Sequence, residues 1–87
     1  MPKREEKKGE TKYSAITFTM STGAPFSYRV TEEQVETALE VLGEDPAIVL
    51  IDDHEILVRL NADHIVSVHV DPKYLGMDTL PTLVEVY

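Results

Sequence analysis

Cysteine is absent from this 87-residue sequence, so neither a disulfide framework nor a thiolate zinc site can stabilise its fold. The four glycines are scattered singly, which excludes the glycine-rich loop that usually holds nucleotide phosphates. The longest apolar run, residues 47–51, is far too short to cross a bilayer, and the charged N-terminus lacks the apolar stretch of a signal peptide. We therefore expect a cytoplasmic protein with no cofactor and no membrane contact.

Basic residues are few and unevenly placed. Residues 1–12 hold five basic and three acidic residues, a net charge of +2, whereas the remaining 75 residues hold three basic and thirteen acidic ones, a net charge of −10. Such an acidic body repels phosphate backbones, so we expect no binding to duplex nucleic acid. The composition predicts a disordered charged arm over residues 1–12, one domain over 13–70 and a C-terminal extension over 71–87.

The first third of the ordered sequence has the alternation of a β-hairpin. Apolar residues at every second position predict a strand from Tyr13 to Met20, and Phe26 to Val30 repeats the pattern. Between them, Gly23 and the following proline are typical of a turn.

A single helix is predicted to follow the hairpin. Thr31 and Gln34 have the spacing of a capping box, and Gly43 is expected to stop the helix in a left-handed conformation, which gives bounds of 32–42. The apolar stripe has Leu39 at its centre and consists of Val35, Ala38, Leu39 and Leu42.

Three further strands are predicted after the helix. The continuous run Ile48–Ile51 indicates a central strand that is covered on both faces. The next strand alternates, except that Leu57 projects from its polar side, where it would meet a second layer or a neighbouring subunit. In the fifth strand Val66, Val68 and Val70 are expected on the buried face.

The C-terminal extension is too apolar for a free tail. Its apolar residues are Leu80, Leu83, Val84, Val86 and Tyr87. The stretch from Thr82 to Tyr87 suits a strand added to the edge of the protein's own sheet or of a neighbour's sheet. The predicted fold class is therefore α+β, a small, mostly antiparallel sheet or half-barrel of order β-β-α-β-β-β with a C-terminal edge strand and one helix packed on one face.

Two groups of polar residues have the types needed for chemistry. The loop from Asp52 to Glu55 offers carboxylates and an imidazole to a metal ion, but such turns are common because a short carboxylate satisfies local backbone donors. Ser67, His69 and Asp71 share a strand face, yet residues two apart lie roughly 7 Å from each other, too far for direct hydrogen bonds. We predict neither a metal site nor catalytic residues.

The sequence favours a non-enzymatic interaction or assembly module that self-associates and binds a protein partner. A domain of this size buries only roughly 60% of its unfolded surface, so a partner surface would add needed stability. The expected interface consists of Leu57, Leu80, Leu83, Val84, Val86 and Tyr87. The alternative is an oligomeric regulator that binds a small ligand or nucleotide between subunits, with Arg29 or Arg59 as the anchor for an anion. An enzyme of unknown type is the third class.

Overall fold

A computed structural model describes residues 12–87. The predicted arm therefore lies outside the described residues, apart from Lys12. The fold is α+β in the predicted order, with a sixth strand at the C-terminus. The elements are β1 (Ser14–Met20), β2 (Pro25–Val30), α1 (Glu32–Glu44), β3 (Ala47–Asp52), β4 (Leu57–Asn61), β5 (Ile65–Asp71) and β6 (Leu83–Val86).

The first sheet has the order β2-β1-β5, and both pairings are antiparallel. The predicted hairpin is present, with Gly23 at a positive φ of 92° in its turn. Ile16 pairs with Tyr28 and Phe18 with Phe26, so these side chains share one face of the sheet. That face is directed into the protein, because Ile16, Phe18 and Tyr28 are buried.

The predicted buried face of β5 is wrong at Val66. Thr19 pairs with Ser67 and Met20 with Ile65, so Val66 has no partner on β1 and forms a β-bulge. The extra residue reverses the alternation, because Ile65 takes the inward position beside Met20. Val66 is consequently exposed. Val68 and Val70 remain on the face predicted for all three valines, but only Val68 packs against the core, and Val70 is 37% exposed.

The second sheet has the order β4-β3-β6, also antiparallel, with β3 in the central position that the sequence predicts. Alternate residues of β3 are buried, namely Ile48, Leu50 and Asp52. Leu60 of β4 lies opposite Ile48 and is buried with it.

Helix α1 begins as predicted, with the complete capping box formed by Thr31 and Gln34. The predicted place of Leu39 at the centre of the packed stripe is wrong, because this residue is 51% exposed. The buried face is centred on Ala38, with Val35 and Val41 among the residues that flank it. Leu39 lies about 100° around the helix axis from Ala38 and so falls at the margin of the contact.

The predicted stop at Gly43 is also wrong. The helix continues to Glu44, and the Asp45 N–H donates to the Val41 carbonyl. Asp45 has extended backbone angles because it precedes Pro46, and proline disfavours helical angles in the residue before it. Proline therefore ends this helix, not a left-handed glycine.

The C-terminal segment connects the two sheets within one chain. The Arg29 N–H donates to the Pro81 carbonyl (2.8 Å), and the Asp53 N–H donates to the Thr82 carbonyl (2.8 Å), just before β6 pairs with β3. The predicted edge strand is thus present on the protein's own sheet. The core between the sheets and the helix consists of Ile16, Phe18, Tyr28, Val30, Ala38, Ile48, Leu50, Leu60 and Leu83.

Candidate interaction surface

The outward face of the second sheet is more apolar than an ordinary solvent-facing surface. Because side chains alternate along a strand, the inward position of Ile48 and Leu50 turns Val49 and Ile51 outward. Cross-strand partners share that face, and they extend it on both flanks of β3. We give the name outer β3 face to the part of this surface that consists of Val49, Ile51, Leu57, Arg59, Glu85 and Tyr87. Ala47 and Asn61 continue the surface at one end.

The face is arranged in two rows across the sheet. Arg59 lies opposite Val49, which exchanges backbone hydrogen bonds with Tyr87 on its other side. In the second row, Ile51 lies between Leu57 and Glu85. Leu57 is 60% exposed and Tyr87 is 58% exposed, and neither belongs to the core or to the residues packed against it.

The outward face of the first sheet is polar by comparison. Thr17 and Ser27 share a hydrogen bond of 2.9 Å between their hydroxyl groups. Thr17 also lies opposite His69 on β5, and Thr19 lies opposite Ser67. Such side chains are suited to contact with water, so this face needs no further cover.

Electrostatically, the outer β3 face combines one cation and one anion. Arg59 is at one flank of β3, and Glu85 at the other. The Tyr87 hydroxyl donates to Glu85 Oε1 (3.2 Å). The negative charge of Glu85 and this hydrogen bond raise the pKa of Tyr87 above its ordinary value.

Arg29, the first predicted anion anchor, is already engaged by its own chain. Its Nε donates to Thr82 Oγ1 (2.9 Å), and its guanidinium lies 3.5 Å from a carboxylate oxygen of Asp78 and 4.9 Å from the centre of the Tyr13 ring. These contacts hold the segment before β6 against β2. Arg59, the second predicted anchor, lies on the outer β3 face and not beside Arg29.

The remaining predicted interface residues have different positions. Leu83 is buried in the core of its own chain, and Val86 packs against that core. Leu80 is half-buried. Val84 is exposed, at the point where the pairing of β3 with β6 shifts register. Of the six residues, only Leu57 and Tyr87 share the outer β3 face, where they lie on opposite flanks of β3.

The acidic loop after β3 has the predicted local hydrogen bonding. Asp52 is buried, and its Oδ1 accepts hydrogen bonds from the backbone N–H groups of His54 (2.9 Å) and Ile56 (3.1 Å). Ligand atoms of Asp52, Asp53 and His54 approach within 4.8 Å of one another. The Asp52 carboxylate stabilises the loop through these hydrogen bonds. The loop structure therefore explains why these polar residues lie close together.

One contact between two polar residues is not predicted by the sequence. Ser21 Oγ lies 3.5 Å from His64 Nδ1, and the Ser21 N–H donates to the His64 carbonyl (2.7 Å). The two residues are 43 positions apart, so only the pairing of β1 with β5 brings them together. Both are exposed, and the contact closes the hairpin tip against the turn before β5.

No protein-family model matches this chain, and no curated protein or solved structure does so either.

Proposed function

We propose that this protein is a non-enzymatic assembly module, whose copies pack against one another through the outer β3 face. One observation carries the proposal: the central strand β3 is apolar on both faces, but the chain covers only its inward face. The protein partner proposed is a second copy of the chain. We also propose a cytoplasmic location, as the sequence predicts.

The composition of β3 supports a covered outer face. A strand with a solvated face normally alternates apolar and polar residues, whereas Ile48–Ile51 is apolar at every position, the pattern of a strand with two covered faces. The chain itself covers the inward side with the first sheet and α1. A second layer packed on the outward side would cover the other face of β3, as this pattern predicts.

The distribution of charged residues favours a second copy of the chain as the layer that covers the outer β3 face. The residues from 12 to 87 hold thirteen acidic and four basic side chains, so two copies repel each other over most of their surfaces. The outer β3 face, with Arg59 and Glu85, is electrically balanced. Contact through this face therefore brings no excess of like charges together.

The two rows are also self-complementary under two-fold symmetry. A two-fold axis along β3 would set β4 of one copy above β6 of the other, and the contact would be isologous. Arg59 would then face the Tyr87 ring of the second copy and its hydrogen-bonded Glu85. Guanidinium groups interact favourably with aromatic faces and with carboxylates.

Sedimentation velocity over a concentration series from low to high micromolar tests the proposal. We expect the intact protein to shift from monomer toward dimer and Leu57→Glu to remain monomeric, because the new carboxylate would be buried without a partner. Leu75→Glu is the matched control. Leu75 is 90% exposed, in the loop after β5, so this variant should associate like the unmodified protein.

A charge reversal separates this interface from other modes of association. Arg59→Glu should weaken the dimer, and adding Glu85→Arg should restore it, because the opposite charges are then exchanged across the two-fold axis. An intact protein that is monomeric throughout, a dimer unaffected by Leu57→Glu, or a double variant no better than Arg59→Glu would each refute the proposal. Melting curves at low concentration verify that the variants are folded.

A further inference from the structure

A second feature lies at the end of the molecule where β1 begins, β5 ends and α1 starts. A cleft of about 650 Å³ opens there. Tyr13, Val35 and Val70 are its apolar lining residues, and Lys12 and Lys73 are its basic ones. The cleft shares no residue with the outer β3 face, and its volume falls within the usual range for small-molecule sites.

The distribution of cations distinguishes this cleft from the rest of the surface. Two of the four basic side chains of residues 12–87 line it, and a third, Arg29, stacks on the Tyr13 ring. Neither lysine forms an ion pair with another residue in that part of the chain. In a body so rich in acids, this concentration of positive charge favours an anionic ligand.

From this arrangement we infer that the cleft binds a small amphipathic anion, an aromatic or aliphatic body carrying a carboxylate or phosphate. The apolar body would contact Tyr13, Val35 and Val70. The charged group would lie between Lys12 and Lys73. An apolar pocket with a few polar groups that fix orientation is the usual form of a small-ligand site.

One acidic residue opposes the two lysines. Glu32, in the first turn of α1, also lines the cleft. Its carboxylate repels a bound anion, so removing this charge should strengthen binding, whereas removing a lysine charge should weaken it. The two kinds of substitution should therefore change the affinity for an anion in opposite directions.

Titrations followed by ¹H–¹⁵N NMR test the inference with three probes: phenylacetate, phenyl phosphate and the neutral benzyl alcohol. We expect the anions to shift resonances of Tyr13, Val35, Val70 and Lys73, and to bind more tightly than the alcohol. The comparison of the two anions tells a carboxylate preference from a phosphate preference. Added salt should weaken the binding of both, because exposed charges are screened.

Variants at the cleft complete the test. Lys12→Gln and Lys73→Gln should each weaken binding of the preferred anion about two- to fivefold, the range for exposed charge pairs. Glu32→Gln should strengthen it, and Glu40→Gln, an exposed position of the same helix outside the cleft, should leave it unchanged. Equal affinity for benzyl alcohol, shifts that map elsewhere, no anion binding, or lysine variants that bind like the unmodified protein would overturn the inference. Dimerisation is measured separately, so neither result depends on the other.

Discussion

The two sheets make similar contributions to the core but present different outer faces. Each places four buried side chains in the core, from Ile16 to Val30 in the first sheet and from Ile48 to Leu83 in the second. Outside, the first sheet presents threonine, serine and histidine, whereas the second presents valine, isoleucine, leucine and tyrosine beside one arginine and one glutamate. Folding of one chain explains the inner faces and the polar outer face. It does not explain the apolar outer face. That face therefore supports the proposed contact with a second copy.

The largest expected effects come from the shared core. Phe18→Ala in the first sheet and Leu50→Ala in the second should each lower the free energy of unfolding by about 2–5 kcal/mol, because both side chains are fully buried. Urea titration at submicromolar concentration measures this.

The matched control is Leu57→Ala, the same change as Leu50→Ala on the opposite face of the same sheet. It should change the stability of the dilute protein by only about 0.5 kcal/mol or less. Similar losses at Leu50 and Leu57 would contradict the assignment of inner and outer faces.

The next effect concerns the attachment of the helix to the second sheet. Gln34 Oε1 accepts from the Thr31 N–H (2.9 Å), and its Nε2 donates to the Leu83 carbonyl (2.8 Å). Gln34→Ala removes both bonds and should cost about 1–3 kcal/mol, because partly buried backbone groups lose their partners.

Gln34→Glu separates the two roles in the same urea titration. The carboxylate preserves the acceptor of the capping box but cannot donate to Leu83 at neutral pH. Its stability should therefore lie between those of the unmodified protein and Gln34→Ala. A variant as stable as the unmodified protein would show that the bond to β6 contributes nothing.

An alkaline titration examines electrostatics between the sheets. Burial and, to a smaller extent, the negative charge of Asp52 raise the pKa of Tyr28 above its ordinary value of 10.0. Because the folded-state pKa is raised, the neutral phenol favours folding, and this contribution is lost as the pH rises above the unfolded-state value. Stability should therefore fall above pH 10 and fall less steeply in Tyr28→Phe, as measured by urea titration at several pH values. Parallel curves for the two proteins would contradict this.

The sequence predicts alternation and capping well, because both depend on neighbours along the chain. The hairpin, the capping box and the central position of β3 followed from such local patterns. The errors at Val66 and Leu39 have tertiary causes: the bulge is defined by pairing with β1, and the helix face depends on how α1 meets β6. The outer β3 face was only partly foreseeable. The sequence predicts that Leu57 meets a second layer or a neighbouring subunit, but its place on one face with Tyr87 depends on the placement of β6.

Apart from the Leu57→Ala control, the smallest expected effect comes from Gly43, whose predicted role as a helix stop was wrong. Gly43 lies within α1 without a positive φ, and a Cβ added there would meet no atom within 4 Å. Gly43→Ala should therefore raise the free energy of unfolding by about 0.5–1 kcal/mol, since alanine restricts the unfolded chain and favours the helix. Gly23 supplies the control, because it has equal space but a φ of 92°. Gly23→Ala should destabilise the protein, so that two glycines with the same open surroundings respond with opposite signs in urea titration. A loss of stability in Gly43→Ala would mean that the helix ends where the sequence predicted.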